Sequence, residues 1–173
     1  SRSLPGGANA QFMKMLLALE QEEDIGGWVR NRLDSGERIM GMGHAVYKTM
    51  DPRARFLKEM GARLGKKTGM ERWPELSRQI EKAGLEAFAG KGKTDIQPNV
   101  DFYSASLYYA MGIPIDLFSP LFALSRVAGW AAHVIEEQYA DAAPKPALYR
   151  PKSSYIGDYC GPDECSFVPM DER

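Results

Sequence analysis

Apolar residues return at three- and four-residue spacing in segment after segment of this chain, and the segments are joined by short loops with no strands interleaved. Phe12, Met15, Leu16 and Leu19 share one helical face behind Asn9, which reads as an N-cap. A second helix fits Asp24 to Leu33, with Ile25, Trp28, Val29 and Leu33 on one face and Gly36 as the stop. Asp51-Pro52 reads as a cap plus first-turn proline for a helix through Leu57, Met60 and Leu64. Pro74 to Phe88 carries Leu76, Ile80, Ala83 and Ala87 at helical spacing, and Asp101 reads as the cap of a helix to Met111 that Gly112-Ile113-Pro114 ends. Leu117 to Tyr139 is apolar on nearly every face and is expected as one central, wholly packed helix. The expected class is all-α, a helical bundle. From Pro144 the tail holds five of the eleven prolines, so it is expected to be extended, with at most a small β ribbon near Tyr155 and Phe167.

Composition narrows the function classes. The 22 basic and 23 acidic side chains nearly cancel, which argues against nucleic acid or an anionic membrane as partner. A 44% hydrophobic fraction is that of a soluble globular chain. The apolar run from Leu117 to Ile135 is interrupted by Arg126 and His133 and does not suit a bilayer. With no visible targeting segment, a cytoplasmic location is expected. Two histidines are too few for a His-based metal cluster, and Cys160 and Cys165 read as free thiols rather than a closed loop, so no metal is expected. The opening Ser1-Arg2-Ser3 reads as an artificial chain end or a cut from something longer.

Three partial motifs are set aside. Gly41-Met42-Gly43-His44 begins like a dinucleotide fingerprint but lacks the third glycine and a preceding strand. Gly61 to Thr68 is one residue short of a phosphate loop and reads as a solvated basic helix end. His133 and Glu136 stand on neighbouring turns without a third ligand, which reads as a histidine at the edge of the core.

Four features are harder to explain by packing. His44 follows Gly43 in a loop whose backbone amides can approach a ligand. Arg53 stands in a first helical turn, where helix polarity prefers an acid, so it needs an anionic partner. Asp101 precedes Phe102-Tyr103, and a carboxylate beside apolar rings is a base with raised proton affinity. Arg126 interrupts an apolar segment, and a buried guanidinium demands a carboxylate. One His, one Asp and several Arg suggest an anionic, carboxylate-rich substrate and acid/base chemistry.

At these residues the chain resembles the C-terminal portion of the citrate synthase family. Gly41-Met-Gly-His-Ala-Val-Tyr-Lys-Thr-Met-Asp-Pro-Arg53 resembles its histidine-loop signature, and Asn99-Val-Asp-Phe-Tyr-Ser104 its catalytic-aspartate segment. Leu121 to Gln138 resembles its long Ser-Arg helix, and Arg150-Pro-Lys-Ser-Ser-Tyr155 its tail arginine. The resemblance implies a Claisen-type condensation of acetyl-CoA with oxaloacetate and water to citrate and CoA, a step of the tricarboxylic acid cycle. Asp101 would abstract the methyl proton, and His44 would bind and polarise the ketone. Arg53, Arg126 and Arg150 would clamp carboxylates, Arg150 reaching a neighbouring subunit. Arg38, Ile39, Met40, Gly41, Met42 and Gly43 would hold the CoA adenine, largely through backbone groups, and Lys48 would meet its phosphates. The implied division is a small domain over 1–116 (1–5 reading as a cloning junction) and a last large-domain helix and tail over 117–173. No tightly bound cofactor is implied, and a homodimer is.

Two departures carry consequences. Leu4-Pro5-Gly6-Gly7-Ala8-Asn9 stands where the family reads Leu-His-Gly-Gly-Ala-Asn, so the histidine that stabilises the enol oxygen is missing. The family's N-terminal portion has no counterpart here, so the isolated chain is expected to be nearly inactive. It is also expected to expose an apolar face of the segment from Leu117 to Tyr139, which a dimer or a rearranged packing would cover. Ala105 replaces a common glycine, with only local repacking expected. The competing readings are 2-methylcitrate synthase acting on propionyl-CoA, one methylene larger, a non-catalytic CoA-binding module, and a purely structural helical lobe.

Overall fold

A computed structural model describes residues 7–44 and 49–139. Among them run seven α-helices, α1 (Gly7–Ala18), α2 (Ile25–Asp34), α3 (Pro52–Thr68), α4 (Arg72–Gly90), α5 (Val100–Ala110), α6 (Phe118–Leu124) and α7 (Val127–Tyr139), with a 3-10 turn at Ile115–Leu117. The only pairing between extended segments among these residues is an isolated antiparallel bridge between Met42 and Pro98. The all-α class stands. The chain forms two compact units, residues 1–131 and 132–173; the Pro-rich tail, where a β ribbon is expected, and with it Arg150, Cys160 and Cys165, lies outside the described residues, as do Pro5 and Lys48.

Helix ends follow local chemistry. Asp24 accepts the Gly27 N–H at 2.8 Å and starts α2. Asp51 starts α3 ahead of Pro52, and Gly69 ends it in the left-handed conformation. Two capping expectations are corrected. α1 begins at Gly7, so Asn9 lies inside it, fully buried. Asn99, not Asp101, caps α5, accepting the N–H groups of Asp101 and Phe102, and Asp101 stands in the first turn.

The wholly packed helix is α5, not the segment from Leu117. Phe102, Tyr103, Ser104, Ala105, Ser106, Leu107 and Ala110 are all buried, and α1, α3 and α4 pack around them. Small side chains at 104–106 let the neighbouring helices approach closely. Phe102 stacks on Phe12 of α1 with ring centroids 4.1 Å apart. Lys58 of α3 pairs with the largely buried Glu81 of α4 at 2.6 Å, beside the Tyr103 ring. Burial, then the Glu81 carboxylate, pushes the Tyr103 phenol well above its ordinary value.

The stretch expected as one helix breaks at Ser125–Arg126. Ser125 Oγ bonds back to the Phe122 carbonyl at 2.8 Å, and the Arg126 N–H reaches Ala123 instead of the carbonyl four residues back. Nor is it buried throughout: Leu117, Leu124, Val127 and Trp130 are exposed in this chain. In the second unit His133 is exposed, not at a core edge, with Nδ1 3.2 Å from Glu136 Oε2. No helix among the described residues is long and apolar enough to cross a membrane.

Candidate active site

The loop between α2 and α3 is held against the start of α5 by backbone pairing. The Gly43 N–H donates to the Gln97 carbonyl at 2.8 Å, and the Asn99 N–H donates to the Gly41 carbonyl at 2.9 Å. Gly41 and Gly43 both take positive φ, 78° and 82°, which ordinary residues adopt only with strain. Ile39 is buried under the loop and Met40 packs against the core. Met42 packs against the core as well and Gly41 is buried, so of the described residues expected at CoA Arg38 is the exposed one.

This pairing brings together residues far apart in sequence. His44, Asp51, Arg53, Asn99, Asp101 and Arg126 line one cleft of about 80 Å³. His44 comes from the loop, Arg53 from the first turn of α3, Asp101 from the first turn of α5 and Arg126 from the turn between α6 and α7. Asp101 is half-buried, and this burial raises its carboxyl above the ordinary Asp value. The charges of His44 and Arg53 oppose the shift without cancelling it. A carboxylate held this way is a stronger base than a solvated one. Arg126 is half-buried rather than enclosed. Its guanidinium lies 4.5 Å from the centre of the Phe122 ring, with Nη1 3.4 Å from Ser125 Oγ.

Asp51 is the cleft residue that sequence reasoning took only as a helix cap. It is 3% exposed and accepts three hydrogen bonds from Arg53: the backbone N–H at 2.9 Å, Nε at 3.0 Å and Nη2 at 2.7 Å. The anionic partner expected for Arg53 is therefore two residues away, and it aims the guanidinium fork. The side-chain bond from Arg53 contributes most to holding the Asp51 carboxyl below its ordinary value. The signal was present in the Asp-Pro-Arg spacing, since a capping carboxylate also reaches a long cation at the second helical position.

A depressed acid stabilises the fold above its unfolded pKa, about 3.9, and loses that contribution as pH falls through its lower folded value. Asp51→Asn, which keeps a good cap, is expected to be less stable than wild type near neutrality, the difference vanishing in strong acid. Asp51→Ala removes the cap as well and is expected to cost about 1–2 kcal/mol. Urea denaturation at pH 7 and in acid measures both. Equal acid sensitivity of wild type and Asp51→Asn would remove the carboxylate from the account.

A second hollow, of about 550 Å³, shares His44 with the cleft and is lined in part by Arg38, Met42, Gly43, Phe88 and Lys93. Phe88 and Lys93 were not expected there; they come from the end of α4 and the turn after it. Arg32 braces this rim, donating from Nε to the Arg38 carbonyl at 3.0 Å and pairing with Glu37. Among the described residues no three His, Cys, Asp or Glu side chains gather where a metal ion could sit.

Residues 2–152 match the family described as citrate synthase, C-terminal domain. The chain belongs to the citrate synthase family. A citrate synthase from Haloferax volcanii is 47% identical over the whole chain, which spans 42% of that protein. A 2-methylcitrate synthase from Corynebacterium glutamicum is 36% identical, covering 98% of the chain and 41% of its own length. Among solved structures, a citrate synthase from Thermoplasma acidophilum in ternary complex with carboxymethyl coenzyme A and oxaloacetate superposes with a TM-score of 0.70 at 34% identity, covering 97% of this chain and 42% of that one. The chain thus spans about two fifths of the length of these relatives.

Proposed function

We propose that this chain carries the base-bearing part of a citrate synthase site, which in the complete protein condenses acetyl-CoA with oxaloacetate. The observation behind the reading is that His44, Arg53, Asp101 and Arg126 share one cleft. Asp101 takes a proton from the acetyl methyl, and the resulting enolate carbon attacks the ketone carbon of oxaloacetate. His44 donates a hydrogen bond to the ketone oxygen as charge develops there. Arg53 and Arg126 hold carboxylates, joined by Arg150, and water then releases CoA from the citryl thioester. The hollow beside Arg38 to Gly43 takes the CoA adenine, with Lys48 at its phosphates.

In this reading residues up to 116 form the small domain, and those from 117 belong to the large domain. The exposed apolar residues Leu117, Leu124, Val127 and Trp130 are covered by the part of the protein that the relatives carry beyond the matched portion, or by a second subunit. The tricarboxylic acid cycle and the cytoplasm are the setting this reading assigns.

Thiol release from acetyl-CoA in the presence of oxaloacetate tests it. The chain alone is expected to be nearly inactive. The full-length protein with histidine at position 5 is expected to turn over, with a rate about 10²–10³-fold above the Pro5 form. CoA binding without citrate formation by the histidine form would favour a binding module. The Corynebacterium relative makes propionyl-CoA the necessary second substrate; a kcat/KM higher than with acetyl-CoA would assign 2-methylcitrate formation instead.

A further inference from the structure

The two central groups of the cleft arrive on different pieces of chain, His44 on the loop before α3 and Asp101 on α5, and one side chain is bonded to both pieces. Asn99 Oδ1 accepts the backbone N–H of Asp101 at 2.9 Å and of Phe102 at 3.3 Å, which sets the first turn of α5. Its Nδ2 donates to the Gly43 carbonyl at 2.9 Å, the residue before His44. The orientation of the amide is settled by its neighbours, since two N–H donors face one end and a carbonyl faces the other. Its backbone N–H adds a third tie, to the Gly41 carbonyl.

We propose that Asn99 is a positioning residue that fixes the separation of His44 and Asp101, by clamping the Gly43 carbonyl with the same amide that caps α5. This rests on the reading of the cleft given above. Capping alone does not ask for asparagine, because aspartate and serine cap helices as well. The second contact does. Aspartate turns an oxygen toward the Gly43 carbonyl and repels it, and serine has no group that reaches it.

Asn99→Asp and Asn99→Ser therefore keep the cap and lose the clamp, one with an added charge and one without. In the full-length protein both are expected to melt within a few degrees of wild type. Both are expected to lose about 10–100-fold in kcat, because displacement of a reacting group by about 1 Å costs on that order. KM for oxaloacetate should move far less, since Arg53 and Arg126 are held from α3 and from the turn after α6. Amide hydrogen exchange at Gly43 should quicken in both variants.

Unchanged exchange at Gly43 in both variants overturns the clamp. So does a kcat that holds while melting temperature falls, which is the signature of a merely structural residue. Loss of kcat in Asn99→Asp alone makes charge the cause and likewise overturns it. If wild type forms no citrate while exchange at Gly43 still quickens in both variants, the clamp stands and the reading of the reaction fails.

Discussion

Asp101→Asn is expected to lower citrate formation by the full-length protein about 10²–10⁴-fold and to make the same protein more stable at neutral pH. Both effects have one origin. Burial raises the Asp101 carboxyl, and the opposing charges of His44 and Arg53 only moderate the rise. An acid whose folded pKa lies above its unfolded pKa contributes stability below the unfolded value, about 3.9, and that contribution is lost as pH rises through the folded value. At pH 7 the ionised, half-buried form is the costly one. Asparagine fills the same space without the charge, so the melting temperature of Asp101→Asn should exceed that of wild type at pH 7. The two should converge below about pH 4. The wild-type rate should fall with acid through a pKa above the ordinary Asp value. Melting curves at both pH values and a pH–rate profile measure this. Activity within threefold of wild type in Asp101→Asn would remove Asp101 as the base, and a less stable variant at pH 7 would remove the desolvation argument.

How much was legible in the sequence depended on whether the deciding interaction was local. The start of α2 at Asp24 and of α3 at Asp51-Pro52 are settled within four residues, and helical spacing placed both helices. Asn9 and Asp101 have the side chains of caps, yet Asn9 lies inside α1 and Asn99 takes the end of α5. Propensity does not separate an asparagine from an aspartate two residues on; the strand-like pairing of Gly41 and Gly43 with residues 97–99 does, and that pairing is tertiary. The segment from Leu117 is not one packed helix, but its exposed apolar face is the one expected of a chain without its large-domain partner. Its all-round apolarity does call for burial, but the relatives are more than twice as long as this chain, so the covering surface need not lie within it. For the cleft, the chemistry of His44, Asp101 and the arginines was readable residue by residue. That they converge was carried only by family resemblance, because 56 residues separate His44 from Asp101 and no periodicity spans that gap.

Convergence requires the loop to lie directly on α5, and Gly41 is the residue that permits it. A Cβ at Gly41 would stand 2.9 Å from both Cα and Cβ of Phe102 and 3.1 Å from its nitrogen, at a φ of 78°. Phe102 has no room to retreat, being fully buried and stacked on Phe12. Gly41→Ala must therefore lift the loop, which breaks the bond from the Asn99 N–H to the Gly41 carbonyl and carries His44 away from Asp101. Positive φ costs an alanine about 1–2 kcal/mol, and overpacking adds about 1–3 kcal/mol, so roughly 2–5 kcal/mol is expected from a total of order 5–15. Gly36 supplies the control, with a similar φ of 74° but open space around its missing Cβ. Gly36→Ala should cost only the backbone part, about 1–2 kcal/mol, and leave kcat unchanged. Chemical denaturation of the two variants, with kcat measured under conditions where both remain folded, separates backbone strain from the lost approach. Equal destabilisation by the two alanines, or full kcat in Gly41→Ala, would mean that close contact between loop and α5 does not hold the cleft together.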